Sequence, residues 1–259
     1  MCDPKIRLDG APGARGRRFS MRVLLALFSL TASMAVVPAT AATVSDGVRK
    51  LTFDVFLDDR AIGYQRFALT PVGDGMRIET QAEFEVKLLL ITAFAYDHRN
   101  TELWRGGCLQ AIDSRTDSNG TKYAVSGRAR DSAFVVATNA GERSLGACVA
   151  SFAYWDKDVL LQRQRLLNSQ TGEYMPVRID ALGLDSVRIG QRNVAVQRYS
   201  LKGQGLDITL AYAADGGDWV ALDSRLDGGR TLRYRRSPGE LRAPSVIQAA
   251  RAGGPEASR

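Results

Sequence analysis

Between Met76 and Leu88 the side chains alternate with few exceptions. Met76, Ile78, Thr80, Ala82, Phe84, Val86 and Leu88 fall on one side, and Arg77, Glu79, Gln81, Glu83, Glu85 and Lys87 on the other. A period of two means a β-strand with one face on a core and one in water. From Leu88 to Tyr96 the polar face disappears. This part is therefore expected to be covered on both sides or to line an apolar cavity. The pattern continues until Gly106-Gly107 interrupts it.

The rest of the chain reads as strand after strand. Leu51, Phe53, Val55 and Leu57 alternate with polar neighbours, and Asp58-Asp59-Arg60 looks like a tight turn into residues 62–70. Asp74-Gly75 turns again. Residues 108–116 follow, and Asp117-Ser118-Asn119-Gly120 is the clearest hairpin signal, because Asn-Gly supplies the positive φ angles of a type I′ turn. Strands are expected at 123–129 and 132–138, then at 175–179, 185–189, 193–201, 206–212, 219–226 and 231–236. Asp215-Gly216-Gly217-Asp218 and Asp227-Gly228-Gly229 mark the last two hairpins. The rhythm breaks over residues 141–172, where 156–168 has helical residue preferences with Asp156 as N-cap. The fold class expected is mainly β: a curved antiparallel sheet or half-barrel with a short connecting helix. One domain, 43–237, comprises two β segments joined by 141–172. Residues 238–259 turn to Ala, Gly, Pro, Arg and Ser and read as a disordered tail.

The amino terminus changes the picture of location. Arg22 precedes an apolar run over residues 23–37 that ends in Pro38-Ala39-Thr40-Ala41-Ala42. A positive start, an apolar core and an A-x-A site describe a secretory signal peptide, cleaved near Ala41. A transmembrane anchor would need about 20 apolar residues and different flanks, so no stable membrane span is expected after cleavage. Residues 1–20, rich in Gly, Pro and Arg, read as an upstream extension before Met21. The net charge of +7 is partly a leader effect: residues 1–42 hold six basic and two acidic side chains, which leaves +3 for the rest. That is too little to argue for a nucleic-acid partner.

Export also changes how the cysteines read. Cys2 belongs to the leader, leaving Cys108 and Cys148 in the mature chain. Two cysteines in an oxidising compartment form either one disulfide or two separately buried thiols, and spacing alone leaves both open. With one histidine and no C-x-x-C pair, no metal site and no cofactor is expected.

Candidate chemistry is sparse. His98 is the only histidine, and in a strand its neighbour Asp97 points to the opposite face, so a structural role is expected rather than a general base. Ser114, Ser126 and Ser151 lack a G-x-S-x-G elbow. Asp113, Asp117, Asn119 and Gly120 resemble a calcium loop superficially, but the first ligand position falls on Arg115. Glu79, Glu83 and Glu85 share a face with Arg77 and Lys87, which makes a mixed-charge surface rather than a catalytic carboxylate pair. No phosphate loop of either common type is present.

Aromatic surface remains. Phe94, Tyr96 and Trp104 fall at even spacing on one strand face, and Phe152, Tyr154 and Trp155 cluster where the first β segment ends. Around a concave sheet such side chains suit an apolar or acyl-chain ligand, with Arg99 or Arg105 available for a head-group charge, or else they fill a core.

Several runs carry a family resemblance. Residues 53–58 with Ile62-Gly63, residues 104–109, Thr116 to Gly120, Ser151-Phe152-Ala153-Tyr154-Trp155 and Leu167 to Gly172 resemble an uncharacterised family of exported Gram-negative bacterial proteins, a domain of unknown function. The resemblance covers about residues 51–236. It implies a periplasmic location and carries over no catalytic residue. More distantly the pattern is similar to periplasmic half-barrel proteins such as lipoprotein carriers, which is an analogy of fold. The expected function is non-enzymatic binding of an apolar or lipid-like ligand. The alternative is a structural or protein-interaction module of the cell envelope acting on a protein partner, and an enzyme comes third.

Overall fold

The computed structural model describes residues 47–88 and 91–241. The expected leader and signal peptide, and the tail beyond 241, lie outside the described residues. Fourteen strands follow one another: β1 (Arg49–Leu57), β2 (Arg60–Val72), β3 (Gly75–Leu88), β4 (Ile91–Arg105), β5 (Cys108–Ser118), β6 (Thr121–Arg130), β7 (Ala133–Thr138) and β8 (Gly141–Leu145). A short helix, α1 (Lys157–Leu161), precedes β9 (Arg165–Leu167), β10 (Tyr174–Ile189), β11 (Arg192–Gly203), β12 (Leu206–Ala213), β13 (Trp219–Arg225) and β14 (Thr231–Arg236). All belong to one antiparallel sheet in the order β8-β7-β6-β5-β4-β3-β2-β1-β14-β13-β12-β11-β10-β9. The sheet is a meander in which β1 pairs with β14, so the two halves of the chain join at its centre. It is not closed: β8 and β9 are its two ends.

What the sheet curls around is the connection between those ends. Val149, Ala150, Ala153 and Leu160 are fully or almost fully buried. They share one core with Leu51, Phe53, Leu109, Phe134 and Val136 of the first half and Leu201, Leu210 and Trp219 of the second. The inserted segment is stitched to the sheet on both sides. Leu109 N–H donates to the Val149 carbonyl at 2.8 Å, Leu167 N–H donates to the Ala150 carbonyl at 2.8 Å, and Ser151 and Leu167 form a parallel bridge. Cys108 at the start of β5 and Cys148 at the segment's entry are joined by a disulfide, with Cα atoms 5.0 Å apart. Aromatic rings bind the centre: Phe53 lies 4.0 Å from Trp219, which in turn lies 5.3 Å from Tyr154 of the insert.

A buried carboxyl pins the insert from inside. Glu102 on β4 is 3% exposed. Its Oε2 accepts from Trp104 Nε1 at 2.7 Å and from Ser151 Oγ at 3.0 Å, and its Oε1 accepts from Asn100 Nδ2 at 2.9 Å. Three donors on one carboxyl offset part of the cost of burying it. At the seam, Arg236 donates to Glu240, to the Trp219 carbonyl and to the Lys50 carbonyl, while Glu240 accepts from the Thr52 N–H at 2.6 Å.

Turn chemistry follows the sequence at several places. Asn119 (φ 53°) and Gly120 (φ 88°) make the β5–β6 turn. Gly63 (φ 154°) has no room for a side chain, because a Cβ there would sit 1.9 Å from the Glu83 carbonyl oxygen.

Four expectations need correction. Residues 76–96 are not one continuous stretch: β3 ends at Leu88 and β4 runs back from Ile91, a reversal with no Gly, Asn, Asp or Pro to announce it. The helix expected over 156–168 is only α1. Asp156 is its N-cap, accepting from the Val159 N–H at 3.0 Å, but Leu166 and Leu167 are fully buried and residues 165–167 pair with β10 instead. The strands expected at 175–179 and 185–189 are one strand, β10, with a bulge where Ala181 and Gly183 face consecutive residues of β11. The tail expected from 238 begins with an ordered 3₁₀ turn, Pro238–Glu240. Among the described residues, no helix is long and apolar enough to cross a membrane.

The insert's anchors make two predictions. Replacing Cys108 and Cys148 by Ser opens a loop of 40 residues and is expected to lower stability in urea unfolding by about 3–4 kcal/mol on the chain-entropy estimate. Glu102→Ala strands three buried donors, and a loss of about 3 kcal/mol or more is expected in the same assay.

Candidate ligand-binding hollow

The β1–β2, β3–β4, β5–β6 and β13–β14 connections lie at one end of the sheet, and there the interior is open. Alternation puts Leu57 of β1, Ile62 of β2, Phe84 and Val86 of β3, and Phe94 and Tyr96 of β4 on the concave face. Leu226 and Leu232, from either side of the β13–β14 turn, face them with Tyr234. The hollow has a volume of about 620 Å³, within the roughly 300–1,000 Å³ of small-molecule sites. Phe84 and Tyr96 stack at 5.1 Å with their planes 9° apart, and Tyr234 meets Phe84 edge-on at 6.1 Å.

Few polar groups enter this space. Ser118 lies opposite Tyr96 on the adjacent strand. The Tyr96 hydroxyl donates to Gln170 Oε1 at 3.1 Å, and burial, with the Asp97 charge adding, pushes the phenol up to about 12. Gln170 is carried by a tight loop at the exit of the insert. Asn168 Oδ1 accepts from the Gln170 and Thr171 N–H groups, the Gly172 N–H returns to the Asn168 carbonyl, and Arg143 Nη2 donates to the Gly172 carbonyl at 2.7 Å. Arg230 stands at the rim, half exposed, and its Nε donates to Asp58 at 3.1 Å.

Behind the hollow the same face of β4 becomes polar. Tyr96, His98, Asn100, Glu102 and Trp104 all point inward, as the period of two requires. His98 Nδ1 shares a 2.8 Å hydrogen bond with Thr116 Oγ1 and stacks on Tyr96 at 6.1 Å. Desolvation pushes its imidazole down to about 4, against a smaller pull from Asp97. Asn100 Oδ1 and Ser114 Oγ, opposite each other on β4 and β5, are buried with no hydrogen-bond partner among the described residues.

The sequence-derived candidates divide three ways. Phe94 and Tyr96 line the hollow. Trp104 is buried in the main core and meets Trp155 edge-on at 5.4 Å, while Phe152, Tyr154 and Trp155 belong to the insert and pack against the same core. Arg99 and Arg105 are on the outer face, where they pair with Asp97 and Asp74 and cannot reach a ligand inside. Their odd numbers on β4 already placed them opposite Phe94, Tyr96 and Trp104. The missed residues are Phe84 and Val86, which the alternation of β3 flagged, and Leu57, Ile62, Leu226, Leu232 and Tyr234, which only the β2–β1–β14 pairing brings together. Gln170 lies in the Leu167 to Gly172 run but carried no signal of a place in the hollow. The expected apolar character of residues 88–91 cannot be placed, because the side chains of 87–91 and of Ala93 lie outside the described residues.

His98 gives a pH signature. A buried neutral imidazole, ordinarily near 6.5 and here near 4, binds fewer protons folded than unfolded. Its contribution is therefore complete above about pH 6.5 and is lost as pH falls towards about 4. Between about pH 7 and pH 5 the wild type is expected to lose roughly 2 kcal/mol more than His98→Gln in urea titrations. Equal losses would mean that His98 is not held neutral.

Comparisons place this architecture. A similar solved structure is a beta-barrel-like protein of a domain of unknown function, DUF1849, from Brucella abortus. It aligns with a TM-score of 0.52 and 12% identity over 73% of this chain and 97% of that one, which is a likeness of fold. No curated protein matches. The family model described as a domain of unknown function, DUF6134, matches residues 53–237, from the middle of β1 to just past β14. The chain belongs to that family.

Proposed function

We propose that the protein is exported to the periplasm and binds an apolar or lipid-like molecule, without chemical turnover, in the hollow at the open end of the sheet. The observation that carries the reading is the hollow itself: about 620 Å³ walled by Leu57, Ile62, Phe84, Phe94, Leu232 and the ring of Tyr234. Apolar walls with a few convergent polar groups are the usual make-up of a small-molecule site. Export is supported by the apolar run behind Arg22 with its A-x-A site. The Cys108–Cys148 disulfide suits an oxidising compartment. Binding rather than catalysis is favoured because the titratable interior groups, His98 and Glu102, are tied up structurally by Thr116, Asn100, Trp104 and Ser151.

The alternative, an envelope interaction module, has its own observation. Only Tyr174, Met175 and Pro176 of β10 pair with β9. Farther along that strand Leu182 and Leu184 are 55% and 78% exposed. Exposed apolar side chains on an unpaired edge suit a protein partner.

Native mass spectrometry on protein purified from its own periplasm, followed by organic extraction, separates the two. A reproducible adduct that extracts as one acyl or lipid species is expected. Phe84→Asp, which sets a charge in the middle of the walls, is expected to reduce uptake of a fluorescent fatty acid at least tenfold. A bare mass with no uptake by the wild type would overturn the reading and turn the search to partners of β10.

A further inference from the structure

The polar corner of the hollow carries information about the ligand beyond its being apolar. Gln170 is the group to consider. Its Oε1 is occupied by the Tyr96 hydroxyl at 3.1 Å, and that phenol, held protonated by burial, is a donor throughout the physiological range. With its oxygen on Tyr96, the Gln170 amide has both N–H groups left over. Among the described residues no acceptor takes a hydrogen bond from Gln170 Nε2. The loop that presents it is held by Asn168, Gly172 and Arg143. A donor is thus fixed, with Ser118 nearby, at one corner of a space otherwise walled by Leu57, Ile62, Phe84, Phe94 and Leu232.

We propose that Gln170 determines specificity in the hollow, and that the ligand presents to its amide an uncharged carbonyl, as in an acyl ester or acyl amide. The assignment rests on the apolar-ligand reading above and deepens it. Gln170 is half-buried, and a plain hydrocarbon filling the hollow would take water from its N–H groups without replacing the hydrogen bond, a cost that a carbonyl oxygen removes. A carboxylate or phosphate would be desolvated with Arg230 as the one cation on the lining, and that guanidinium is already bound to Asp58 at 3.1 Å. An uncharged acceptor pays no such penalty. Sites built to hydrogen-bond a group discriminate against analogues that lack it.

The test is displacement of the fluorophore N-phenyl-1-naphthylamine from the purified exported protein. The competitors share one medium chain length and differ at the head: methyl ester, carboxylate and alkane. The wild type is expected to bind the ester about tenfold more tightly than the alkane, one hydrogen bond's worth. Gln170→Leu should bring that ratio close to one while keeping alkane affinity. Gln170→Glu, equal in size and without a donor when ionised, should also bring the ratio close to one, with overall affinity lowered by its charge, so a misfolded leucine variant does not decide the outcome. Equal binding of ester and alkane by the wild type, or an ester preference that survives both substitutions, overturns the assignment and leaves the hollow as a site. So does tightest binding of the carboxylate with loss in Arg230→Gln. Failure of the fluorophore and of all three competitors to bind overturns the hollow itself.

Discussion

A meander of fourteen strands curled about its own concave face has to be filled, and here residues 149–167 fill it. Among the described residues, the inward side chains of the strands beside the β1–β14 seam, Phe53 and Trp219 among them, pack on this insert and on one another. Hydrophobic burial alone would hold such a segment without fixing its depth or register, because it is non-directional. Glu102 supplies direction. Burial pushes its carboxyl up, and hydrogen bonds from Asn100, Trp104 and Ser151 pull the other way. Only one of these donors, Ser151, lies on the insert, so the carboxyl is first arranged by its own strand and then offers a single defined place to dock. A buried acid is costly, and what it contributes here is position.

The same strand divides the interior by function. Along the inward face of β4 the sequence runs from aromatic (Phe94, Tyr96) to polar (His98, Asn100, Glu102) and back to aromatic (Trp104). The far aromatic packs on the insert, the polar middle bonds the neighbouring strands and the insert, and the near aromatics face open space. An open hollow and a packed core thus share one continuous sheet. Where one gives way to the other depends on how far the insert reaches, and the loop at its exit carries Gln170 to the hollow.

Much of this was legible in the sequence and some of it was not, for identifiable reasons. The alternation of Met76 through Val86 gives the faces of β3 because a period of two has one physical meaning in an antiparallel sheet. The Asn119-Gly120 turn and the Asp156 cap were legible because both depend on local chemistry. The reversal between Leu88 and Ile91 was hidden, since apolar residues occupy a place where turn formers are the norm. The parity of β4 is legible as well: it sends Arg99 and Arg105 outward and His98, Asn100 and Glu102 inward. The extent of α1 was not legible. Pairing with β10 decides the fate of Leu166 and Leu167, and pairing partners nine and seven residues away across a loop leave no local trace. Gln170 is the extreme case, a polar residue in a polar loop whose role exists only because Tyr96, 74 positions earlier, ends up beside it.

The anchoring of the insert also bears on how binding and stability are linked. Its entry is held by Cys148 and its exit by the β9–β10 pairing and the Asn168 loop, which sets Gln170. A change at the entry is transmitted to the floor of the hollow through the packed residues between, because a close-packed core shifts as discrete arrangements rather than yielding gradually. The walls, by contrast, belong to β1–β4 and β14, which pair with one another without the insert's help. Loosening the insert should therefore leave the hollow's apolar lining in place and remove the fixed donor from its corner. On the proposed reading, general affinity for apolar molecules and selectivity among them would be properties of different parts of the chain.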